Sequence, residues 1–283
     1  MTAEPAAGAA FSVMGVVNVT PDSFSDGGLY LDPAAAVGHG LMLEADGAAI
    51  LDVGGESTRP GADAVPAAEE LRRVLPVIEG LVSGGASAVL SIDTSKAAVA
   101  AAALDAGATV VYDVTALRGD TEMAAVIAAA GAGCCLMHML GDPRTMQRDP
   151  RYDDVVDEVK AFLEERMAVA VAAGIDEQRI LLDPGIGFGK TVEHNLELLR
   201  RVDELVALGR PVVIGTSRKS FLGRLTGRDV DDRLAATIAT CVIAYERGAR
   251  VFRVHEVAPI NDALTVAAAT VAPWTTRPTS STG

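Results

Sequence analysis

Eight short apolar segments recur along the chain, and each is followed by a stretch with helical character. Short apolar runs rich in Val and Ile predict buried strands, and strict alternation of strands with helices predicts a parallel sheet. Eight such units in about 260 residues fit a closed (β/α)₈ barrel better than an open sheet. We therefore expect an α/β fold, a single TIM barrel with parallel strands over residues 11–272, with flexible tails at 1–10 and 273–283. The predicted strands are 13–19, 49–53, 89–93, 110–114, 134–138, 180–183, 212–214 and 250–255.

Turn and cap residues mark the helices between these strands. Asp32 and Pro33 predict the start of the first helix, and Gly47 predicts its end. Thr94 and Ser95 predict a cap for the third helix.

The composition narrows the possible partners. The net charge of −14 over 283 residues argues against nucleic acids and anionic membranes as partners. No apolar run reaches the ~18 residues needed to span a bilayer, and residues 1–10 carry no cation, unlike a secretory signal. The three cysteines lack metal or redox spacing and fit a reducing compartment. We expect a cytoplasmic protein.

Polar residues stand at or just beyond the carboxyl ends of the predicted strands, and a barrel brings those ends together at one mouth. Any one of them alone could be a helix cap or a salt-bridged residue. That all of them are caps is less plausible, because Asp183 is followed by Pro-Gly and Asp52 by Gly-Gly rather than by a helix. The residues are Asn18, Asp52, Asp93, Asp113, His138, Asp183, Ser217, Arg218, Lys219, Arg253 and His255.

The charges of these residues divide the mouth into two sectors. The cations Lys219 and Arg253 follow the last two strands, where barrels of this kind often bind phosphate. The carboxylates follow strands two to six and suit a neutral heterocycle that offers adjacent N–H groups. Asn18 and its acidic loop could hold Mg²⁺ through oxygen ligands and phosphate. The residues alone therefore indicate an enzyme acting on a phosphorylated nitrogen heterocycle.

Six stretches of the chain resemble the dihydropteroate synthase family and occur in that family's order. They are residues 14–28, 52–61, 91–94, 183–190, 217–223 and 253–255. The resemblance implies a (β/α)₈ barrel and a folate-biosynthesis enzyme. The implied reaction joins 6-hydroxymethyl-7,8-dihydropterin pyrophosphate to p-aminobenzoate, giving 7,8-dihydropteroate and pyrophosphate. It further implies a transferase that uses Mg²⁺, forms a homodimer and is a target of sulfonamides.

The resemblance also implies roles for individual residues, among which Asp93, Lys219, Arg253 and His255 are catalytic. The implied pterin contacts are Asp93, Tyr112, Asp183 and Lys219. Two loops, one at 22–28 and one at 58–60, would close over the site. The implied p-aminobenzoate pocket and lid comprise Phe24, Thr58, Arg59, Pro60, Phe188 and Ser220. The implied pyrophosphate site comprises Asn18, Arg253 and His255, with Asn18 also the Mg²⁺ ligand.

Tyr112 departs from the family pattern, which has Asn at this position. A phenol is larger than an amide and offers one hydroxyl in place of a donor and an acceptor. Either Tyr112 reaches the pterin ring differently, or it crowds the pocket. Two alternatives stay open: a catalytically weak or non-catalytic pterin-binding paralogue, which Tyr112 favours, and a pterin-dependent methyltransferase domain. Lys219, Arg253 and His255 argue against the methyltransferase.

Overall fold

The computed structural model describes residues 10–20, 32–58, 61–142 and 144–271. Eight strands alternate with helices, as the sequence predicts. The strands are β1 Ser12–Asn18, β2 Ile50–Gly54, β3 Val89–Asp93, β4 Val110–Asp113, β5 Gly133–Met137, β6 Ile180–Asp183, β7 Val213–Ile214 and β8 Val251–Val254. The helices are α1 Pro33–Ala45, α2 Ala67–Ser83, α3 Ala97–Asp105, α4 Met123–Ala130, α5 Val155–Ala172, α6 Val192–Arg200, α7 Val202–Val206, α8 Ser220–Thr226, α9 Leu234–Glu246 and α10 Val257–Val271.

All eight strands belong to one parallel sheet that curls into a barrel. The hydrogen-bonded order is β6-β5-β4-β3-β2-β1-β8-β7, and each pair is parallel. A parallel bridge between Leu182 and Val212 joins β6 to β7. This bridge brings the two ends of the sheet together, so the predicted single (β/α)₈ barrel is confirmed.

Alternate residues of each strand face two different cores. Inward side chains such as Met14, Ile50 and Val110 fill the barrel, whereas outward side chains such as Leu51 and Ile92 pack against the surrounding helices. This follows from the period of two along a strand. A residue's position within its strand therefore decides whether its side chain lies inside the barrel.

Helix starts agree with the predictions at some positions and correct them at others. Asp32 caps α1 by accepting from the Ala34 N–H at 3.0 Å, as expected. The predicted cap of α3 by Thr94 and Ser95 is wrong. Instead, the Ala97 N–H donates to Asp120 Oδ2 at 3.0 Å, so a carboxylate from the loop after β4 satisfies the start of α3.

One helix is absent from the sequence prediction. The short helix α8, Ser220–Thr226, follows directly after the cationic end of β7. Between α8 and α9, which begins at Leu234, the chain contributes Val230 and Arg233 to the rim of the barrel mouth. In the described part of the chain, no helix is both long and apolar enough to cross a membrane.

Candidate active site

Two adjoining cavities lie at the carboxyl ends of the strands. The inner cavity measures about 40 Å³, and the outer cavity measures about 450 Å³. Four predicted site residues line both of them, namely Phe188, Lys219, Arg253 and His255. The polar residues lining the inner cavity also include Tyr112, Asp183 and Ser217. The polar residues lining the outer cavity also include Asn18, Thr20, Glu56, Ser57, Thr58, Ser217, Arg218, Ser220 and Arg233.

Asp183 ends β6 with its carboxylate inside the barrel, and both of its oxygens accept hydrogen bonds. Oδ1 accepts from the Gly185 N–H at 2.5 Å, and Oδ2 accepts from the Tyr112 hydroxyl. Burial raises the pKa of Asp183 above its ordinary value, while the Tyr112 hydroxyl and the nearby Lys219 and Arg253 charges oppose this rise. Asp183 is thus a buried acceptor whose ionised form depends on donors and cations around it.

Arg253 forms the centre of a buried ion network. Its Nε lies 2.7 Å from Asp52 Oδ2, and its Nη2 lies 2.7 Å from both Asp52 Oδ2 and Asp93 Oδ2. The other Asp52 oxygen accepts from the Ser91 hydroxyl at 2.6 Å. Burial raises the pKa of Asp93 to about 7, although the guanidinium lowers it. The guanidinium also lies 4.8 Å from the centre of the Tyr112 ring.

Lys219 crosses the boundary between the two cavities. Its Nζ lies 4.0 Å from the centre of the Phe188 ring, a cation–π contact. Burial lowers the pKa of Lys219 to about 8, and the Asp183 charge opposes this change. The Gly187 backbone packs closely against this side chain, since a Cβ on Gly187 would lie 3.1 Å from Lys219 Cδ. Gly187 has a φ of +84°, which glycine adopts without strain.

His255 is oriented by the loop after β7. Its Nδ1 lies 2.9 Å from Ser217 Oγ, and its backbone N–H donates to the same hydroxyl at 3.2 Å. Arg218 next to it is paired with Glu256, with Nε 2.6 Å from Oε1. The outer cavity thus combines an imidazole with several cationic side chains, the arrangement that an anionic group requires.

Comparison with known proteins agrees with this geometry. Residues 14–255 match the family described as pterin binding enzyme. The chain belongs to that family. It is 48% identical over 264 residues to the dihydropteroate synthase of Mycobacterium leprae, covering 91% of this chain and 92% of that protein. It is also 48% identical over 257 residues to a probable bifunctional folylpolyglutamate synthase/dihydropteroate synthase of Haloferax volcanii, and it spans 30% of that longer protein.

Solved structures of dihydropteroate synthases have the same fold. One from Xanthomonas albilineans with 4-aminobenzoic acid is 50% identical with a TM-score of 0.87, covering 95% of this chain and 94% of that one. The complex of the X. albilineans enzyme with 7,8-dihydropteroate is 47% identical with a TM-score of 0.83, covering 95% of each chain. A Yersinia pestis sulfonamide complex is 41% identical with a TM-score of 0.88, covering 95% of this chain and 94% of that one.

Most of the site residues predicted for this pterin-binding enzyme do lie at one mouth. Asp183 and Arg253 line the same inner cavity, as the two-sector interpretation requires. Asp93 lies behind Arg253 and lines neither cavity. The predicted residues Phe24, Arg59 and Pro60 lie outside the described residues. The roles assigned to all of these residues stay predictions.

The loop that carries Thr58 is held at its base by an ion network that the sequence analysis missed. Lys96 Nζ lies 2.5 Å from both Glu56 Oε2 and Glu70 Oε2, and Glu70 is fully buried. Glu56 Oε1 also accepts from the Val65 N–H at 2.8 Å. Lys96 lies two residues after the Asp93-Thr94 motif, and this position near a predicted site residue is the sequence signal that could have indicated the ion network.

Other polar residues near the site were also missed or left open. His138, which ends β5 in the sequence prediction, lies with its Nδ1 2.9 Å from Lys190 Nζ and lines neither cavity. Burial lowers the pKa of Lys190 to about 7 and that of His138 to about 2, so the imidazole is neutral. Asp113 faces outward and accepts from the Thr115 and Leu117 N–H groups, so it holds the turn after β4 and is neither a helix cap nor a residue of the mouth.

Proposed function

We infer that this chain is a dihydropteroate synthase. It would join 6-hydroxymethyl-7,8-dihydropterin pyrophosphate to p-aminobenzoate and release pyrophosphate. The observation that carries this proposal is that one small cavity is bordered both by the Asp183 carboxylate and by Lys219, Arg253 and His255. The high similarity to dihydropteroate synthases over nine-tenths of their length supports it.

The reaction replaces one bond to a methylene carbon by another. The C–O bond to pyrophosphate breaks, and the oxygen keeps the electron pair. The arylamine nitrogen forms the new C–N bond and then loses a proton to solvent. Because the arylamine is already a nucleophile, the site needs positioning and charge stabilisation more than a strong base.

Recognition of the pterin ring falls to the inner cavity. A carboxylate can accept two parallel hydrogen bonds, and the ring offers an amino group beside an N–H. We assign those donors to Asp183, with Lys219 bordering the ring. Asp93 lines neither cavity and lies 2.7 Å from Arg253, so we assign it the role of positioning that guanidinium.

We assign stabilisation of the departing pyrophosphate to the cationic side of the outer cavity. We assign the leaving group to Arg253, His255 and Asn18, which line it together. Among the described residues, no three His, Cys, Asp or Glu side chains form a metal-ligand cluster. A single amide oxygen at Asn18 fits Mg²⁺, which commonly takes one or two protein oxygens together with substrate phosphates. When bound, Mg²⁺ would neutralise charge that develops on the leaving oxygen.

The arylamine would enter through the outer cavity. Thr58, Phe188 and Ser220 line it, and the Phe188 ring gives an apolar surface against which an aromatic amine can pack. A sulfonamide with the same aniline group would compete there. From the resemblance alone we also propose a homodimer in the cytoplasm.

A pyrophosphate-release assay with both substrates tests this function. We expect turnover only when the pterin pyrophosphate and p-aminobenzoate are both present, with 7,8-dihydropteroate detected by mass. Asp183→Asn should abolish most of it, whereas Asp176→Asn, which removes an exposed carboxylate just before the start of β6, at the end of that strand opposite Asp183, should not. If the folded protein releases no pyrophosphate above background, the non-catalytic pterin-binding paralogue becomes the better interpretation. The structural reason would be that the Tyr112 hydroxyl already donates a hydrogen bond to Asp183.

A further inference from the structure

Tyr112 fills the inner cavity. Only 2% of its surface is exposed, Arg253 lies against its ring, and its hydroxyl donates to Asp183. The remaining cavity measures about 40 Å³, whereas ligand pockets commonly measure roughly 300 to 1,000 Å³. A bicyclic ring therefore does not fit beside Asp183 while Tyr112 stays in this position.

Only one of the two hydrogen bonds to Asp183 can be exchanged easily. The bond from the Gly185 N–H comes from closely packed backbone, because Gly185 has a φ of +67° and a Cβ there would lie 1.8 Å from the His138 carbonyl oxygen. The bond from Tyr112 comes from a side chain that can rotate. An incoming N–H donor would therefore replace the phenol hydroxyl.

We propose that Tyr112 is the specificity-determining residue of the inner cavity, because a ligand enters only when its N–H donors replace the phenol on Asp183. This proposal rests on the function proposed above. It adds that the Tyr112 hydroxyl competes with the N–H groups of the ligand for Asp183. A ring with one N–H replaces the hydrogen bond from Tyr112 to Asp183 by one of its own, so the number of hydrogen bonds stays the same. A ring with two adjacent donors replaces that hydrogen bond and adds a second one to Asp183. The side chain thus selects donor-rich rings and lowers the affinity for all of them.

Calorimetric titration with 6-hydroxymethylpterin, without p-aminobenzoate, tests the proposal. Tyr112→Asn removes both the ring and the competing hydroxyl, so we expect it to bind at least about ten-fold more tightly than the wild type, the usual factor for a hydrogen bond to a charged group. Tyr112→Phe keeps the ring and loses the bond, and its affinity should lie in between. Tyr152→Phe is the matched control, since that hydroxyl donates to the Gly189 carbonyl outside both cavities; its affinity should equal that of the wild type.

A spectroscopic measurement reports the displacement itself. The chain has four tyrosines, and labelling with 3-fluorotyrosine gives four ¹⁹F signals. The Tyr112 signal is identified by its absence from Tyr112→Phe. We expect it to shift on saturation with 6-hydroxymethylpterin and to stay in place with p-aminobenzoate alone. A role in packing alone would leave this signal unmoved.

The possible results separate this inference from the proposed function. Equal pterin affinity in the wild type, Tyr112→Asn and Tyr112→Phe, or an unmoved ¹⁹F signal at saturation, would overturn the inference even if the enzyme turns over. Tighter binding by Tyr112→Asn would support it even if neither protein releases pyrophosphate. Failure of every variant to bind the pterin would overturn the inference, and with no turnover it would overturn the proposed function as well.

Discussion

Replacing Arg253 by methionine tests whether its guanidinium stabilises the buried carboxylates of the barrel mouth. The guanidinium lies 2.7 Å from Asp52 and 2.7 Å from Asp93. Asp52 is fully buried, and Asp93 is 7% exposed. Methionine keeps an unbranched apolar stem and removes every donor, so two carboxylates lose their cation at once.

The size of the effect follows from the cost of an unpaired buried charge. Removing one partner of a buried ion pair commonly costs roughly 3 to 5 kcal/mol. Alternatively the folded variant protonates one carboxyl, at 1.36 kcal/mol for each pH unit above the ordinary pKa of about 3.9. The cost of protonating one carboxyl, which is the upper limit of the penalty, is about 5.6 kcal/mol at pH 8 and about 2.2 kcal/mol at pH 5.5. The pKa of Asp93 is already about 7 in the folded wild type, so both folded proteins carry this proton at pH 5.5, and the deficit of the variant in stability grows as pH rises above about 7.

Urea unfolding followed by circular dichroism at both pH values measures this. We expect Arg253→Met to lower the free energy of unfolding by about 3 to 5 kcal/mol at pH 8 and by about half of that at pH 5.5. Adding Asp52→Asn should recover part of the loss, since one carboxylate is then neutral. Arg72→Met is the matched control, because Arg72 is exposed and paired with Glu69 on one face of α2, where such pairs contribute under about 1 kcal/mol.

The reasoning fails if Arg253→Met costs no more than Arg72→Met at pH 8, or if its cost is the same at both pH values. In that case the guanidinium would not stabilise the carboxylates.

Three further results are expected. The contribution of Lys190 to stability should rise with pH from about 7 toward 10.4, because in this range only the unfolded chain retains the Lys190 proton; Lys190→Met should therefore lower the slope of the free energy of unfolding against pH by up to about 1.36 kcal/mol per pH unit relative to the wild type in urea unfolding. Gly185→Ala should lower the melting temperature far more than Gly131→Ala, because both glycines have positive φ but only at Gly185 would a Cβ meet backbone. Asp183→Asn should weaken pterin binding by about ten-fold or more in calorimetry; unchanged affinity would remove Asp183 from ring recognition.

Much of the fold was predictable because the apolar runs are short and end in polar residues. The predicted bounds of β3 and β6 agree with the structure at both ends, since Asp93 and Asp183 terminate them. The prediction missed α8, whose seven residues include Gly223 and are too few for a helical period to show. It also gave the sixth helix as one segment, whereas α6 and α7 are separate.

The period of two along a strand could have refined the site prediction. Asp93 and Tyr112 are register partners, and both face into the barrel. Asp113 is the next residue on β4 and therefore faces outward, so its position alone argues against a role at the mouth. The same count places Asp52 inward, where it holds Arg253. Whether a residue faces into the barrel therefore predicts a place at the mouth better than its being a polar residue at the end of a strand.

The sequence does not determine which of the inward-facing side chains form hydrogen bonds and ion pairs with one another. The motifs place Tyr112, Asp183 and Arg253 on three separate strands, and several pairings between them satisfy the same spacing. In the structure Arg253 pairs with Asp52 and Asp93, and the side-chain donor to Asp183 is the Tyr112 hydroxyl. A shorter side chain at position 112, such as Asn, would present a donor and an acceptor to a ligand without filling the cavity. Under the displacement that we propose, the residue at position 112 determines whether the inward charges of this barrel receive a ring directly or only after an internal hydrogen bond is broken.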